Sequence, residues 1–175
     1  MMVLYVVYSY YAFPFMREDT LSSQLYLFIG LAVVCFAMGA ASIVAGLRRR
    51  SEERKTLERV RGLPGGGVSP REFLNTREAL MRNGDFTGIY VIHNLTKGMY
   101  YVGQSTRVVG RVSQHFCGRG NGDVYADYKY GDEFEISLVS LRESGYESLD
   151  ALERDAIKAY DAYGHGYNRT RGNRN

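Results

Sequence analysis

Apolar residues are distributed unevenly along the chain, and their spacing changes character as it proceeds. Residues 25–47 (LYLFIGLAVVCFAMGAASIVAGL) run without a single charge. As a helix they would cover about 34 Å, enough to cross a hydrocarbon core of about 30 Å. The pattern predicts a transmembrane helix over 25–47, since a core helix apolar on every side would need a much larger protein around it. The preceding segment, 1–24, opens with the Tyr-rich stretch MMVLYVVYSYYAFPFM. Interrupted by Pro14 and too short for an easy crossing, that stretch suits either a short first span or an interfacial segment. Residues 48–61 (RRRSEERKTLERVR) favour helix but offer only Leu57 and Val60 as apolar side chains, which predicts a basic, solvated juxtamembrane helix. Residues 62–69 form a Gly-rich linker. Ser69, Pro70 and Glu72 then make a capping box, and Asn83-Gly84 a stop, for a short helix within 70–84 that carries Phe73, Leu74, Leu80 and Met81 on one side.

From 85 to 175 the period shortens and alternates. Residues 85–93 and 99–103 are rich in β-formers and flank the turn Asn94-Leu95-Thr96-Lys97-Gly98, which predicts a hairpin. A helix is expected over 107–116, a Gly-rich loop over 117–123, and a short helix or irregular turn over 125–130. Phe134, Ile136 and Leu138 alternate as a third strand, Ser148 caps a helix running to about 163, and Gly164 to Asn168 close a tight turn. The whole is a compact α+β unit.

Charge sharpens this division. Lys and Arg number 1 against 2 Asp and Glu over residues 1–47, 10 against 5 over 48–84, and 11 against 12 over 85–175. The C-terminal part therefore has no global basic field for nonspecific nucleic-acid binding, and any such function must rest on a site. Arg48, Arg49 and Arg50 follow the apolar run, whereas Arg17, Glu18 and Asp19 precede it. The positive-inside rule then places the C-terminal side in the cytoplasm, whether the anchor is single-pass or a short hairpin. The two cysteines, Cys35 and Cys117, exclude a disulfide scaffold and a zinc knuckle.

Candidate chemistry begins at the hairpin. With its turn near Thr96, Tyr90 lies opposite or diagonal to Tyr101 on one sheet face. The following helix offers Arg111 and His115 four residues apart, with Arg107 one turn before. Glu153 sits on the late helix and Asn168 in the closing turn. Cleavage of a phosphodiester can use every member of this set: a carboxylate for a divalent metal, a guanidinium for phosphate charge, and a base for water. Taken singly each is unremarkable, because 15 tyrosines in 175 residues make any one of them more often core or surface.

In order along the chain, however, stand Gly88-Ile89-Tyr90, then after ten intervening residues Tyr101-Val102-Gly103, and then Arg111, His115, Glu153 and Gly166-Tyr167-Asn168. In this conjunction residues 85–172 resemble the GIY-YIG nuclease family, in particular the catalytic domain of its homing endonucleases. The resemblance implies a small three-stranded antiparallel sheet flanked by helices and a metal-dependent hydrolysis of DNA. Carried over, Glu153 would bind Mg²⁺ or Mn²⁺, Arg111 would hold the scissile phosphate, and Tyr90 or His115 would activate water. Tyr101 would position that water or a phosphate oxygen, and Asn168 would hold the site together, with Gly88 and Gly103 as motif glycines. Where several relatives carry a Lys after the second motif, this chain has Gln104-Ser105-Thr106, leaving Arg107 the nearest cation. Family members that cut defined sites carry a separate recognition domain, and only seven residues follow Asn168 here. Arg107, Arg169, Arg171 and Arg174 could touch phosphate without reading bases. The expectation is a membrane-anchored, metal-dependent DNA endonuclease of little intrinsic specificity, with lipid around 25–47 and a separate partner recognising or delivering DNA. Its alternative is an inactive nuclease-like module that binds nucleic acid or a partner at the membrane.

Overall fold

The computed structural model describes residues 17–82 and 84–173, and side chains from Ser23 onward. The apolar stretch 1–16, Asn83 of the helix stop and Arg174 lie outside the described residues. The chain divides into two units, 1–51 and 52–175.

The first helix, α1, spans Arg17–Arg61. In the first unit its apolar side chains are exposed all round, with Tyr26 at 74% and Phe36 at 80% of full accessibility. Its stretch from Ser23 is the one helix among the described residues long and apolar enough, by length and composition, to cross a membrane. Exposed apolar surface of this extent marks a contact with a membrane or with another protein.

The second unit is α+β. Its elements are the end of α1, then α2 (Pro70–Arg82), β1 (Gly88–Asn94), β2 (Met99–Ser105), α3 (Val108–Phe116), α4 (Gly122–Tyr130), β3 (Phe134–Ser140), α5 (Leu141–Ser144) and α6 (Leu149–Ala159). The three strands form an antiparallel sheet in the order β2-β1-β3. Central β1, GIYVIHN, is covered on both faces, which is why its apolar residues run almost unbroken instead of alternating. On one face Tyr90, Ile92 and Ile136 pack with Phe73 of α2, Val112 and Phe116 of α3 and Val124 of α4. On the other, Ile89, Val91, Val102 and Val139 pack with Leu152, Ala156 and Ile157 of α6.

Several boundaries differ from the sequence reading. Strand β1 starts at Gly88, not 85, because Asp85 is drawn away to a helix terminus described below. The α4 helix is regular from Gly122 because the Asn121 side chain caps it, and Gly131 ends it in the left-handed region with φ 102°. The single turn of α5 carries no periodic signal. Of the apolar residues expected to dock α2, Phe73 is buried while Leu80 and Met81 stay 38% exposed.

Two further differences concern the segment before the sheet. The last turns of α1 are not fully solvated: Val60 is 1% exposed and joins the α6 cluster together with Leu57, one helical turn earlier. The stretch read as a flexible linker is tied down at Val68. Its N–H donates to the carbonyl of Ile136 (3.0 Å), and its carbonyl accepts from the Ile136 N–H (2.8 Å). This bridge covers part of the outer edge of β3, where unpaired backbone would otherwise invite another strand.

Candidate active site

The register of the hairpin brings the two phenols together. Tyr90 pairs across the ladder with Gly103, and Ile92 with Tyr101, so Tyr90 and Tyr101 are diagonal neighbours on one face with ring centroids 6.0 Å apart. Gly103 is required by packing. A Cβ there would sit 2.3 Å from the Tyr90 hydroxyl and 2.5 Å from its Cζ, so the second motif must present bare backbone for the first motif's ring to lie on.

Helix α3 is aimed at these phenols by a residue 24 positions upstream. The Asp85 carboxylate accepts from the backbone N–H of Val109 (2.8 Å) through Oδ1 and of Gly110 (3.0 Å) through Oδ2. An acid at the positive end of a helix satisfies otherwise orphaned donors, and this one fixes α3 to the start of β1. From that helix Arg111 and His115 face the tyrosines. His115 is fully buried, with its Nε2 2.9 Å from the Tyr90 hydroxyl oxygen and its ring centroid 4.9 Å from that of Tyr101. Its Nδ1 accepts from the backbone N–H of Asn121 at 2.9 Å. A neutral imidazole carries one proton, so the Asn121 contact assigns that proton to Nε2, from which it is donated to the Tyr90 oxygen. Gly120 makes this possible, since a Cβ there would lie 2.6 Å from the ring.

Electrostatics support the neutral form. Burial, and then the Arg111 charge, push the His115 imidazole down to about 4. Burial raises both phenols, while Arg111 acts in the opposite direction on each. The Arg111 guanidinium is held by Gln114, its Nη1 donating to Oε1 at 2.8 Å. It is half-buried, and among the described residues its partners, this amide and the Tyr90 hydroxyl, are neutral, so no carboxylate cancels its charge.

Glu153 comes from α6, on the opposite sheet face, and reaches the outer edge of β2. Its carboxyl is buried and therefore raised above the usual carboxylate range, while N–H donors from the backbone of Asn173 and from Gln104, backbone and side chain, favour its ionised form. Gln104 also donates its side-chain amide to Asp150 (2.6 Å). Tyr101 feels the Glu153 charge, which links the carboxylate to the phenol cluster. Along the same edge the Asn168 side chain imitates a fourth strand. Its Oδ1 accepts from the Val102 N–H (2.8 Å), its Nδ2 donates to the Val102 carbonyl (2.7 Å), and the Tyr167 N–H donates to the Tyr100 carbonyl (2.9 Å). Asn168 thus holds β2 and does not touch the phenols.

The arginines proposed as phosphate contacts differ in their surroundings. Arg107 is exposed at the start of α3. Arg169 is paired with Asp123 at 3.1 Å, and Arg171 lies 5.1 Å above the Tyr163 ring. Sequence reasoning missed Asp85, Gln114 and Asn121, and noted Gln104 only as a departure from the family pattern. Gln114, three residues from Arg111 on the same helix face, was open to detection by spacing. The other contacts depend on long-range closure.

With the site built from a hairpin, a capped helix and a carboxylate at the sheet edge, comparison with known proteins adds the class. Residues 86–168 match the model of the GIY-YIG catalytic domain, and this part of the chain belongs to that nuclease family. No curated protein and no solved structure matches the chain.

The family implies a divalent metal. Among the described residues no three His, Cys, Asp or Glu side chains gather to form a cage. The donor chemistry nevertheless fits Mg²⁺ or Mn²⁺, because such ions are held by one or two carboxylates and otherwise by water and substrate phosphate. Glu153, already oriented by N–H donors, is a carboxylate that could take that role.

Proposed function

We propose that this protein is a membrane-anchored endonuclease that hydrolyses DNA phosphodiester bonds with the help of a divalent metal and reads little sequence. The observation that carries the reading is the convergence of an unneutralised guanidinium, two phenols and a neutral imidazole beside an oriented carboxylate, within a domain of a nuclease family.

Each group has a task. Arg111 binds the phosphate, and its charge offsets that of the pentavalent transition state. Tyr90 takes the proton of the attacking water as its phenolate. Burial opposes that form, while Arg111 and the Nε2–H of His115 favour it. His115, neutral and protonated at the nitrogen facing Tyr90, positions the phenol and is not itself the base. Tyr101 orients the water or a phosphate oxygen, and Asn168 keeps β2, and hence Tyr101, in register. A metal held by Glu153 would supply Lewis-acid stabilisation of the phosphate oxygens.

These groups meet phosphate and water rather than base edges, which supports low sequence specificity. The three arginines after the apolar run support a cytoplasmic catalytic domain anchored through lipid around 25–47. A separate partner that recognises or delivers DNA would then supply selectivity, and tethering would raise the encounter rate with DNA brought to the membrane.

The test is incubation of the purified full chain, in detergent, with supercoiled plasmid. Nicking and linearisation in Mg²⁺ or Mn²⁺, abolished by a chelator and giving scattered ends, is the expected result. DNA binding without cleavage under every metal condition would overturn the enzyme in favour of a binding module. One recurrent cleavage sequence would overturn the low specificity.

A further inference from the structure

On the outward side of α6 lies a cavity of about 590 Å³, lined by Arg154 and Lys158 of that helix, by Asp161, Tyr163 and Arg171, and by the bare backbone of Gly172. Three cations thus face a single carboxylate, in a domain whose 85–175 segment has 11 basic and 12 acidic residues. That one carboxylate, Asp161, is engaged by the His165 imidazole. Lys158 pairs with Glu53. The two guanidiniums have neutral neighbours instead: Arg154 donates from Nη1 to the carbonyl of Asn173 (3.3 Å), and Arg171 stacks over Tyr163. A carbonyl and an aromatic ring orient a guanidinium without cancelling its charge.

The cavity shares a wall with Glu153. Arg154 is the next residue on the helix, and a Cβ on Gly172 would lie 3.5 Å from Glu153 Oε2 and 3.4 Å from the Arg154 Cα. Gly172 has φ +94°, so only glycine turns the chain here without strain and without filling the space. The volume is larger than one phosphate needs, and Tyr163, 45% exposed with Arg171 over its ring, adds an aromatic wall beside the cations against which a sugar can lie.

We propose that this cavity receives a backbone phosphate, with its sugar, of the substrate strand flanking the bond cut at Glu153. The inference rests on the nuclease reading and adds to it a second point of strand contact that orients the cleaved strand across α6.

The experiment uses the full chain in detergent, a fluorescein-labelled DNA duplex and a chelator to prevent cutting, with anisotropy followed over a range of KCl concentrations. Arg154→Gln combined with Arg171→Gln should weaken binding about tenfold near physiological salt and make the log–log salt dependence shallower by about 2, while leaving the melting temperature in place. Should that variant fail to fold, Arg171→Gln alone, at an exposed side chain, should still reduce the slope by about 1. Equal affinity and slope in wild type and folded variants would overturn the proposal while leaving the nuclease reading standing, whereas absence of DNA binding by the wild type would overturn both. Displacement of DNA from the wild type, but not from the variant, by a short-chain anionic phospholipid would show a headgroup site and overturn the assignment to nucleic acid.

Discussion

Two tyrosine-centred polar networks are built into the second unit, one at each end of the hairpin, and they are opposites in charge. At the turn end the Tyr167 hydroxyl donates to Asp127 (2.7 Å) and accepts from Asn94 (2.7 Å), Asn94 also donates to Asp132 (2.7 Å), and Lys97 bridges the two aspartates at 2.6 and 3.5 Å. At the motif end Tyr90 accepts from His115 beside Arg111. Burial raises both phenols, but the carboxylates around Tyr167 raise it further, whereas the guanidinium near Tyr90 lowers it. A phenol among carboxylates is a fixed hydrogen-bond donor. One beside a free guanidinium and an imidazole N–H is arranged for negative charge, whether its own or that of a phosphate. The first network is closed by Lys97 and ties the hairpin loop to α4 and the turn before β3. Among the described residues the second gives Arg111 neutral partners alone, the Gln114 amide and the Tyr90 hydroxyl, so it is the one with capacity for a ligand. The difference teaches that burial and tyrosine content do not mark a site; the sign of the surrounding charge does.

The largest expected effect tests that openness where the carboxylate enters. Glu153→Gln keeps the shape and can still accept from Gln104 and Asn173, but it removes the charge a divalent ion needs. Cleavage should fall about a thousandfold, with the melting temperature little moved. Plasmid cleavage and thermal melting of the same preparation decide this, and retention of a few per cent of wild-type activity would remove Glu153 from the metal site.

A second test uses pH to separate the two networks. His115 titrates at about 4 when folded against an ordinary 6.5, so the folded protein prefers it neutral. Its contribution to stability is complete above about pH 6.5 and is lost as pH falls towards 4, where the loss reaches about 3 kcal/mol. Glu153, raised by burial, acts in the opposite direction and does so equally in a His115 variant. Urea unfolding at a series of pH values should therefore show a steep acid decline in the wild type and a shallower one in His115→Gln. Parallel declines would show that His115 is not held neutral by its site.

The hairpin, α3, β3 and α6 were legible because they rest on local alternation, propensity and caps such as Ser148, which accepts from the Ala151 N–H. The diagonal placement of Tyr90 and Tyr101 followed from strand parity once the turn was located. The family order of Tyr90, Tyr101, Arg111, His115 and Glu153 was legible for the same reason, since it is a linear pattern. What sequence did not reveal is what closes across distance. Asp85 reads as the start of a strand and caps a helix 24 positions on. Val68 reads as linker and pairs with β3. Val60 lies in a charged helix and is buried by α6. The proton of His115 was out of reach as well, because it is assigned by the backbone N–H of Asn121, whose position depends on the loop and not on any residue type.

The smallest expected effect challenges the comparison from its structural side. Tyr167→Phe removes one hydroxyl from the closed network and keeps the buried ring. Asn94, fully buried, retains Asp132, and Asp127 retains Lys97, so neither is left without a partner. The cost should accordingly be that of lost hydrogen bonds rather than of an orphaned charge, about 1–2 kcal/mol of unfolding free energy. Cleavage below the melting temperature should be unchanged, because the Tyr167 N–H still pairs with Tyr100 and the Asn168 amide still holds Val102. Tyr90→Phe should abolish cleavage, and because it leaves the buried His115 Nε2–H without its acceptor, its melting should fall at least as far as that of Tyr167→Phe. Measuring both quantities for both variants is decisive: if Tyr167→Phe reduced cleavage beyond its folded fraction, the turn-end network would have to be counted as part of the site, and the distinction drawn from charge sign would fail.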